Sequence, residues 1–314
     1  MDPLYDITYG RIVKRVPNEN WEHTHRMIQF LRVCARPLLV DELSEILTID
    51  YDTGTTPKYE AIWHPETPEA DIFTVCHNLV RTDWVNGVKW VQFGNVSVPE
   101  FFYSERIVAD VVPERVRRYL CNIEDSHWVA TQTCIAPLLH FDDKLPKLLT
   151  RETVKIFTMA NYAAKYWLLH ARHGNVAERE DIKLGIQRIF AQEKTFAAWV
   201  WLHDIDNPER PPMPTERPEK PAASPLYYAA LCGIPSLVEY LAVKFPGSVN
   251  GAGGVYGTPL HAATAKGYFD VVQVLVQHGA DTTAWDRSHR TPSQVAVASG
   301  QYIIAQLLDQ HRAT

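Results

Sequence analysis

The side chains able to do chemistry are scattered along this chain. His23 and His25 stand two apart, and on a helix that spacing puts them on different faces. His170 and His173 stand three apart at the end of a helical stretch. That spacing suits a shared metal ion or, more simply, the carbonyls that a helix C-terminus leaves unpaired. Cys76-His77 has no second thiol at zinc spacing. Asp142-Asp143 and Asp204 with Asp206 read as solvated loop charges. The 314 residues contain no G-x-x-x-x-G-K-[ST], no G-x-S-x-G, no dinucleotide-binding glycine fingerprint and no calcium loop. The expectation is a protein with no catalytic residues, cofactor, metal or nucleotide. A competing expectation rests on Trp63, Trp84, Trp90, Trp128, Trp167, Trp199 and Trp201. These rings would line an apolar pocket that binds a hydrophobic metabolite or templates its cyclisation. The plainer alternative makes them core.

The elements that would position such groups are dominated by a repeat. Ser224-Pro225-Leu226-Tyr227-Tyr228-Ala229, Thr258-Pro259-Leu260-His261-Ala262-Ala263 and Thr291-Pro292-Ser293-Gln294-Val295-Ala296 align, with prolines 34 and then 33 residues apart. Thr258 is placed to cap a helix, Pro259 opens it, and Gly267 closes it where a positive φ is wanted. Val271, Val272, Leu275 and Val276 give a second helix one apolar face. His278 to Asp281 then turns the chain into a finger over residues 282–290. The period and the T-P-L-H-x-A core resemble the ankyrin repeat.

That resemblance implies a protein partner held on the concave face of the stack. Matched in register, the inner helices would offer Tyr228, Ala262, Lys266 and Val295, and the fingers Tyr256, Trp285, Arg287 and His289. Trp285 and Tyr256 are the expected anchors. Thr258 and His261 are expected to tie adjacent repeats together. The third copy replaces Leu and His by Ser293 and Gln294, and its outer helix carries Gln301, Gln306, Asp309, Gln310 and His311. It reads as a polar end cap. The open side of the first copy needs cover from the helices before it.

Net charge is −6, and residues 1–120 carry 13 basic and 18 acidic residues. No segment has the positive field that binding to phosphate backbones requires, so DNA is not an expected partner, and without the phosphate-cradling glycine loop and its Lys neither is a nucleotide. Five cysteines without paired spacing suggest reduced thiols in the cytoplasm or nucleus. Met1 to Asp6 lacks a basic start and an apolar run, and no run of 18 apolar residues offers a membrane span.

Helices are expected over 3–16, from Asn18 through Trp21 to Leu31, and around Leu43, Ile46 and Leu47; residues 50–69 read as loop. A hairpin follows from Leu79 to Phe93 about Asn86-Gly87, whose dipeptide favours a type I′ turn. Ser97 to Glu100 reads as a capping box opening another helix. Three helices and a hairpin are the layout of a winged helix. The third helix carries Asp41, Glu42 and Glu45 and no cation, which argues against DNA reading. The expected architecture is therefore mostly α. It comprises a winged-helix-like domain over 1–120, a helical segment over 121–206 with one helix from about Glu152 to Arg172, a Pro-rich linker over 207–223, and an ankyrin stack over 224–314 starting near 224, 258 and 291.

The order winged helix, helical segment, ankyrin repeats also resembles the region after the NTPase module of fungal NACHT/NLR-like ankyrin proteins. Leu4 to Tyr9, Ala35-Arg36-Pro37-Leu38, Asp41-Glu42-Leu43, Asn95 to Phe101 and Tyr162 to Trp167 carry that likeness. Without a phosphate-binding loop, the chain resembles a stand-alone remnant of such a receptor, so ATP switching is not implied. Short ankyrin proteins of this kind occur beside fungal secondary-metabolite genes. That implies an intracellular regulator or transcription co-regulator.

Overall fold

A computed structural model describes residues 20–52, 54–60, 63, 65–103, 117–141, 150–208 and 221–312. The helix expected over 3–16, the Asp142-Asp143 pair and most of the Pro-rich linker lie outside these. Two compact units emerge, one of residues 1–140 with 152–182 and one of 141–151 with 183–314, so the boundary falls within a helix near residue 182. The described residues are mostly helical.

In the first unit α1 (Trp21–Val33) leads through β1 (Leu38–Leu39) to α2 (Val40–Ser44), a 3-10 turn over Glu45–Thr48, and a small ribbon of β2 (Ile49–Asp50) and β3 (Lys58–Tyr59). α3 (Pro68–Cys76) precedes the hairpin β4 (Val80–Val85) and β5 (Val88–Phe93). α3 falls partly in the stretch read as loop: Pro68 opens it, and it has only nine residues with Ile72, Val75 and Cys76 facing in. The sheet order is β1-β5-β4, all antiparallel, with Leu38 opposite Val91 and Val85 opposite Val88. Asn86 and Gly87 both have positive φ, as a type I′ turn demands. α4 (Ser97–Phe102) follows with Val96 at its cap and no side-chain cap bond, so it is held by burial of Val98, Phe101 and Phe102.

The centre of this unit is α5 (Ile123–His140), buried along most of its length between α1 and α7 (Ala160–Ala171). The expected helix from Glu152 to Arg172 is broken in two, α6 (Arg151–Val154) and α7. The break has a cause. The buried carboxylate of Glu45 accepts the Met159 N–H and the Tyr59 hydroxyl at 3.0 Å, while Thr158 donates to the Asp41 carbonyl at 2.9 Å. These bonds hold residues 158–159 against the α2 turn, where continuous helix would carry them away.

In the second unit α8 (Glu180–Ala191) and α9 (Glu193–Leu202) precede three helical hairpins. These are α10 (Pro225–Cys232) with α11 (Pro235–Lys244), α12 (Pro259–Lys266) with α13 (Phe269–Gln277), and α14 (Pro292–Ala298) with α15 (Tyr302–Arg312). Ser224, Thr258 and Thr291 each cap the inner helix by accepting the N–H three residues on, which explains the recurrence of Ser/Thr-Pro. Inner helices pack α10 on α12 on α14. Cover for the first hairpin comes from Phe196 and Trp199, whose rings meet the buried Tyr228 edge-on at 5.5 and 6.0 Å. Asp204 and Asp206 are not solvated charges. Asp204 accepts the Tyr228 hydroxyl at 3.1 Å, and Asp206 accepts the Tyr227 hydroxyl at 2.6 Å and the Val255 N–H at 2.7 Å.

Candidate protein-interaction surface

The finger over residues 282–290 is built around one carboxylate. Asp286 Oδ1 accepts the N–H groups of Ser288 and Arg290, both at 2.8 Å, and Oδ2 takes the Arg290 guanidinium at 2.9 and 3.0 Å. The Arg290 backbone pairs back to Asp286, and His289 adopts φ 56° to make the turn. Asp281 stiffens the base by accepting from Thr283 and bonding across to Asn250 of the preceding hairpin. These bonds hold both aspartates below the usual carboxylate range. His261 reaches the Arg290 carbonyl at 3.0 Å through Nε2, while its Nδ1 accepts from Thr258 at 2.8 Å. The second hairpin thus positions the tip of the next finger.

What the rigid finger presents is Trp285, 67% exposed, with His289 edge-on to it at 5.7 Å and Arg287 exposed beside them. Tyr256 is half-buried under the Lys266 ammonium, 5.3 Å from its ring centroid, and Lys266 is exposed. Three of the expected contact residues are inside. Tyr228, Ala262 and Val295 are buried, because their positions on the inner helices face neighbouring helices. The exposed inner-helix positions run instead through Lys266, Gln294 and Val297. Counting from the Thr-Pro cap shows the helix phase but not which arc its neighbour covers.

Residues 226–313 match the family described as ankyrin repeats, in three copies. These hairpins are ankyrin repeats. The chain is also 28% identical over 296 residues to the azaphilone pigments biosynthesis cluster protein L of Monascus ruber, covering 88% of this chain. It spans 59% of that relative's length.

Outside the ankyrin repeats, the tryptophans do not converge. Trp167, Trp199 and Trp201 are buried core, and Trp63 and Trp84 are exposed. Trp90 and Phe93 line a cleft of about 770 Å³ with Leu31, Cys34, Pro37 and Val88. The Arg36 guanidinium on this cleft is bound bidentate by Glu42 at 2.6 and 2.7 Å. Trp128 borders a smaller cleft of about 320 Å³ whose acids are paired: Asp52 and, at 3.9 Å, Glu22 with Arg26, and Asp125 with Arg179. His25, also there, bonds the Leu120 carbonyl, and burial depresses its pKa to about 4.

His170 and His173 have a partner that the sequence reading missed. His127, one helix away on α5, lies 3.1 Å from His170 through the two Nδ1 atoms and stacks on His173 with centroids 3.9 Å apart. The Tyr162 hydroxyl is hydrogen-bonded to Nε2 on the far side of His170 at 3.1 Å. Burial, reinforced by the neighbouring rings, pushes His127 and His170 well below an ordinary histidine. Among the described residues no group of three His, Cys, Asp or Glu is arranged to hold a metal ion, and no helix is long and apolar enough to cross a membrane.

Proposed function

We propose that the chain is a non-enzymatic scaffold that holds a protein partner on its ankyrin fingers. The observation that carries this is the exposed Trp285, with Arg287 and His289, on a finger stiffened by Asp286 and steadied by His261. A rigid, exposed indole beside a guanidinium is the composition of an interface hot spot. The name of the Monascus relative and the fungal receptor-like resemblance support a role in secondary metabolism as a regulator or transcription co-regulator in the cytoplasm or nucleus. The winged-helix-like first unit serves as a structural platform in this reading. The test is a Trp285→Ala/Arg287→Ala double variant of the full chain, used as bait beside the wild type. Loss of the wild-type partner set at an unchanged melting temperature supports the proposal. Retention of that set at equal strength overturns it.

A second reading is favoured by the 770 Å³ cleft, whose size is that of small-molecule sites. A neutral, flat, apolar metabolite would slide between Trp90 and the Cys34–Pro37 turn. Ligand-detected NMR against a library of neutral aromatic compounds tests it: binding lost in Trp90→Ala supports the reading, and no binding, or binding unchanged in Trp90→Ala, overturns it.

A further inference from the structure

The smaller cleft of about 320 Å³ is a groove between two packed helices. Trp21, His25 and Gln29 stand four apart on α1 and so share one face. Asp125, Trp128 and Gln132 do the same on α5, at spacings of three and four. The charges of the groove are settled: Arg26 takes Asp52 and Glu22, and Arg179 takes Asp125. Its neutral groups are not. Gln29 is only 5% exposed, and among the described residues its carboxamide has no hydrogen-bond partner. An amide buried that deeply costs stability unless both ends are bonded. Two acceptors line the same groove, each fixed from behind. Asp181 Oδ2 accepts from Gln132 Nε2 and from Trp128 Nε1, both at 2.9 Å. The carboxylate holds the nitrogen of the Gln132 amide and leaves its Oε1 unpartnered among the described residues. A carbonyl only accepts, so His25 donates from Nε2 to Leu120 at 3.2 Å. Its Nδ1 is left as an acceptor with no partner among the described residues.

We propose that this groove binds one small, neutral, polyhydroxylated ring, a sugar or a cyclic polyol. The chemistry of the lining selects it. The carboxylates and guanidinium groups are paired with one another, so a charged ligand finds no unclaimed counter-ion. The open groups are the acceptors of Gln132 and His25 and the donor and acceptor of Gln29. A ligand that satisfies them brings several donors and an acceptor, which a set of hydroxyls supplies together. An apolar ligand would instead bury these atoms unbonded. Trp21 and Trp128 add indole walls for the apolar edges of the ring. The volume lies at the small end of ligand sites and suits a single ring. Burial keeps His25 neutral, its pKa lowered to about 4, so its acceptor persists near neutral pH. The groove shares no residue with the Trp90 cleft or the Trp285 finger, so the proposal stands or falls apart from both.

The probes are methyl glucoside, methyl mannoside and myo-inositol, titrated into the isotope-labelled full chain. Benzylamine, benzoate and indole serve as cationic, anionic and apolar comparators. At least one hydroxylated probe should move the Trp128 indole and Gln29 carboxamide signals, with a Kd of about 1 mM or tighter. The comparators should bind about tenfold more weakly or worse. Binding by the glycosides alone identifies a sugar, and binding by myo-inositol alone a free polyol. Gln29→Leu should weaken binding about tenfold or more. It should melt no lower than wild type, because it removes an unbonded amide from a buried position. Trp84→Ala, on the hairpin, should bind as wild type. The proposal is overturned if no hydroxylated probe moves the Trp128 signal at about 20 mM, or if a comparator binds as tightly. Unchanged binding or a lowered melting temperature in Gln29→Leu, or equal loss in Trp84→Ala, also overturns it.

Discussion

The Tyr227 hydroxyl donates to Asp206 at 2.6 Å and accepts the Tyr256 N–H at 3.0 Å, so one buried phenol joins the segment after α9, the first inner helix and the first finger. It occupies the place that His261 holds in the second repeat. Burial and the carboxylate push its ionisation far above the ordinary tyrosine range, so it remains a neutral donor.

Tyr227→Phe keeps the ring but leaves Asp206 and the Tyr256 N–H short of a partner. A loss of about 1–3 kcal/mol is expected in denaturant melts, with the slope unchanged.

Tyr228→Ala and Trp285→Ala should separate fold from binding. The first removes a buried ring packed on Phe196 and Trp199 and should cost about 3–5 kcal/mol of stability. The second removes an exposed ring and should leave the melt within about 0.5 kcal/mol of wild type. Calorimetry on both variants checks the pair.

His261→Ala removes the acceptor of Thr258 and the donor to Arg290. The finger should loosen before the helices do. Hydrogen exchange at residues 286–290 should accelerate about tenfold or more, while α12 remains protected.

Glu45 gives the first unit a pH dependence. Burial raises its folded pKa to about 7, above the ordinary 4.5. The folded state therefore holds its proton where the unfolded state has released it, and stability falls as pH rises from 4.5 to 7. Glu45→Gln should flatten that slope in urea melts taken across the interval.

His127 and His170 act with the opposite sign. Their folded pKa values lie below the ordinary 6.5, so the unfolded state takes up protons first and stability falls as pH drops below 6.5. His170→Phe should remove part of this acid loss. The same melts on both single variants and the double variant separate the two contributions.

The sequence was most legible where local chemistry repeats. Ser224, Thr258 and Thr291 capped the helices their spacing announced, and Asn86-Gly87 made its turn. It was least legible where a distant side chain decides. Glu45 breaks a helix more than a hundred residues away, which no local pattern records. Asp206 reads as a surface charge until Tyr227 is placed against it. At the finger, Trp285 and Arg287 stand exposed as their position past the helix implies. On the inner helices, by contrast, exposure depends on which arc the neighbour occupies, and Tyr228, Ala262 and Val295 fell on the covered one.

The phenol at Tyr227 also constrains how such a chain can change length. Copying residues 258–290 in tandem would reproduce a unit whose histidine finds its partners in its own cap and in the next finger. Copying residues 224–257 would insert a second buried phenol with no carboxylate beside it. Genetic expansion of the array is therefore tolerated by duplicating the middle repeat, and the first repeat is confined to its place by a single oxygen.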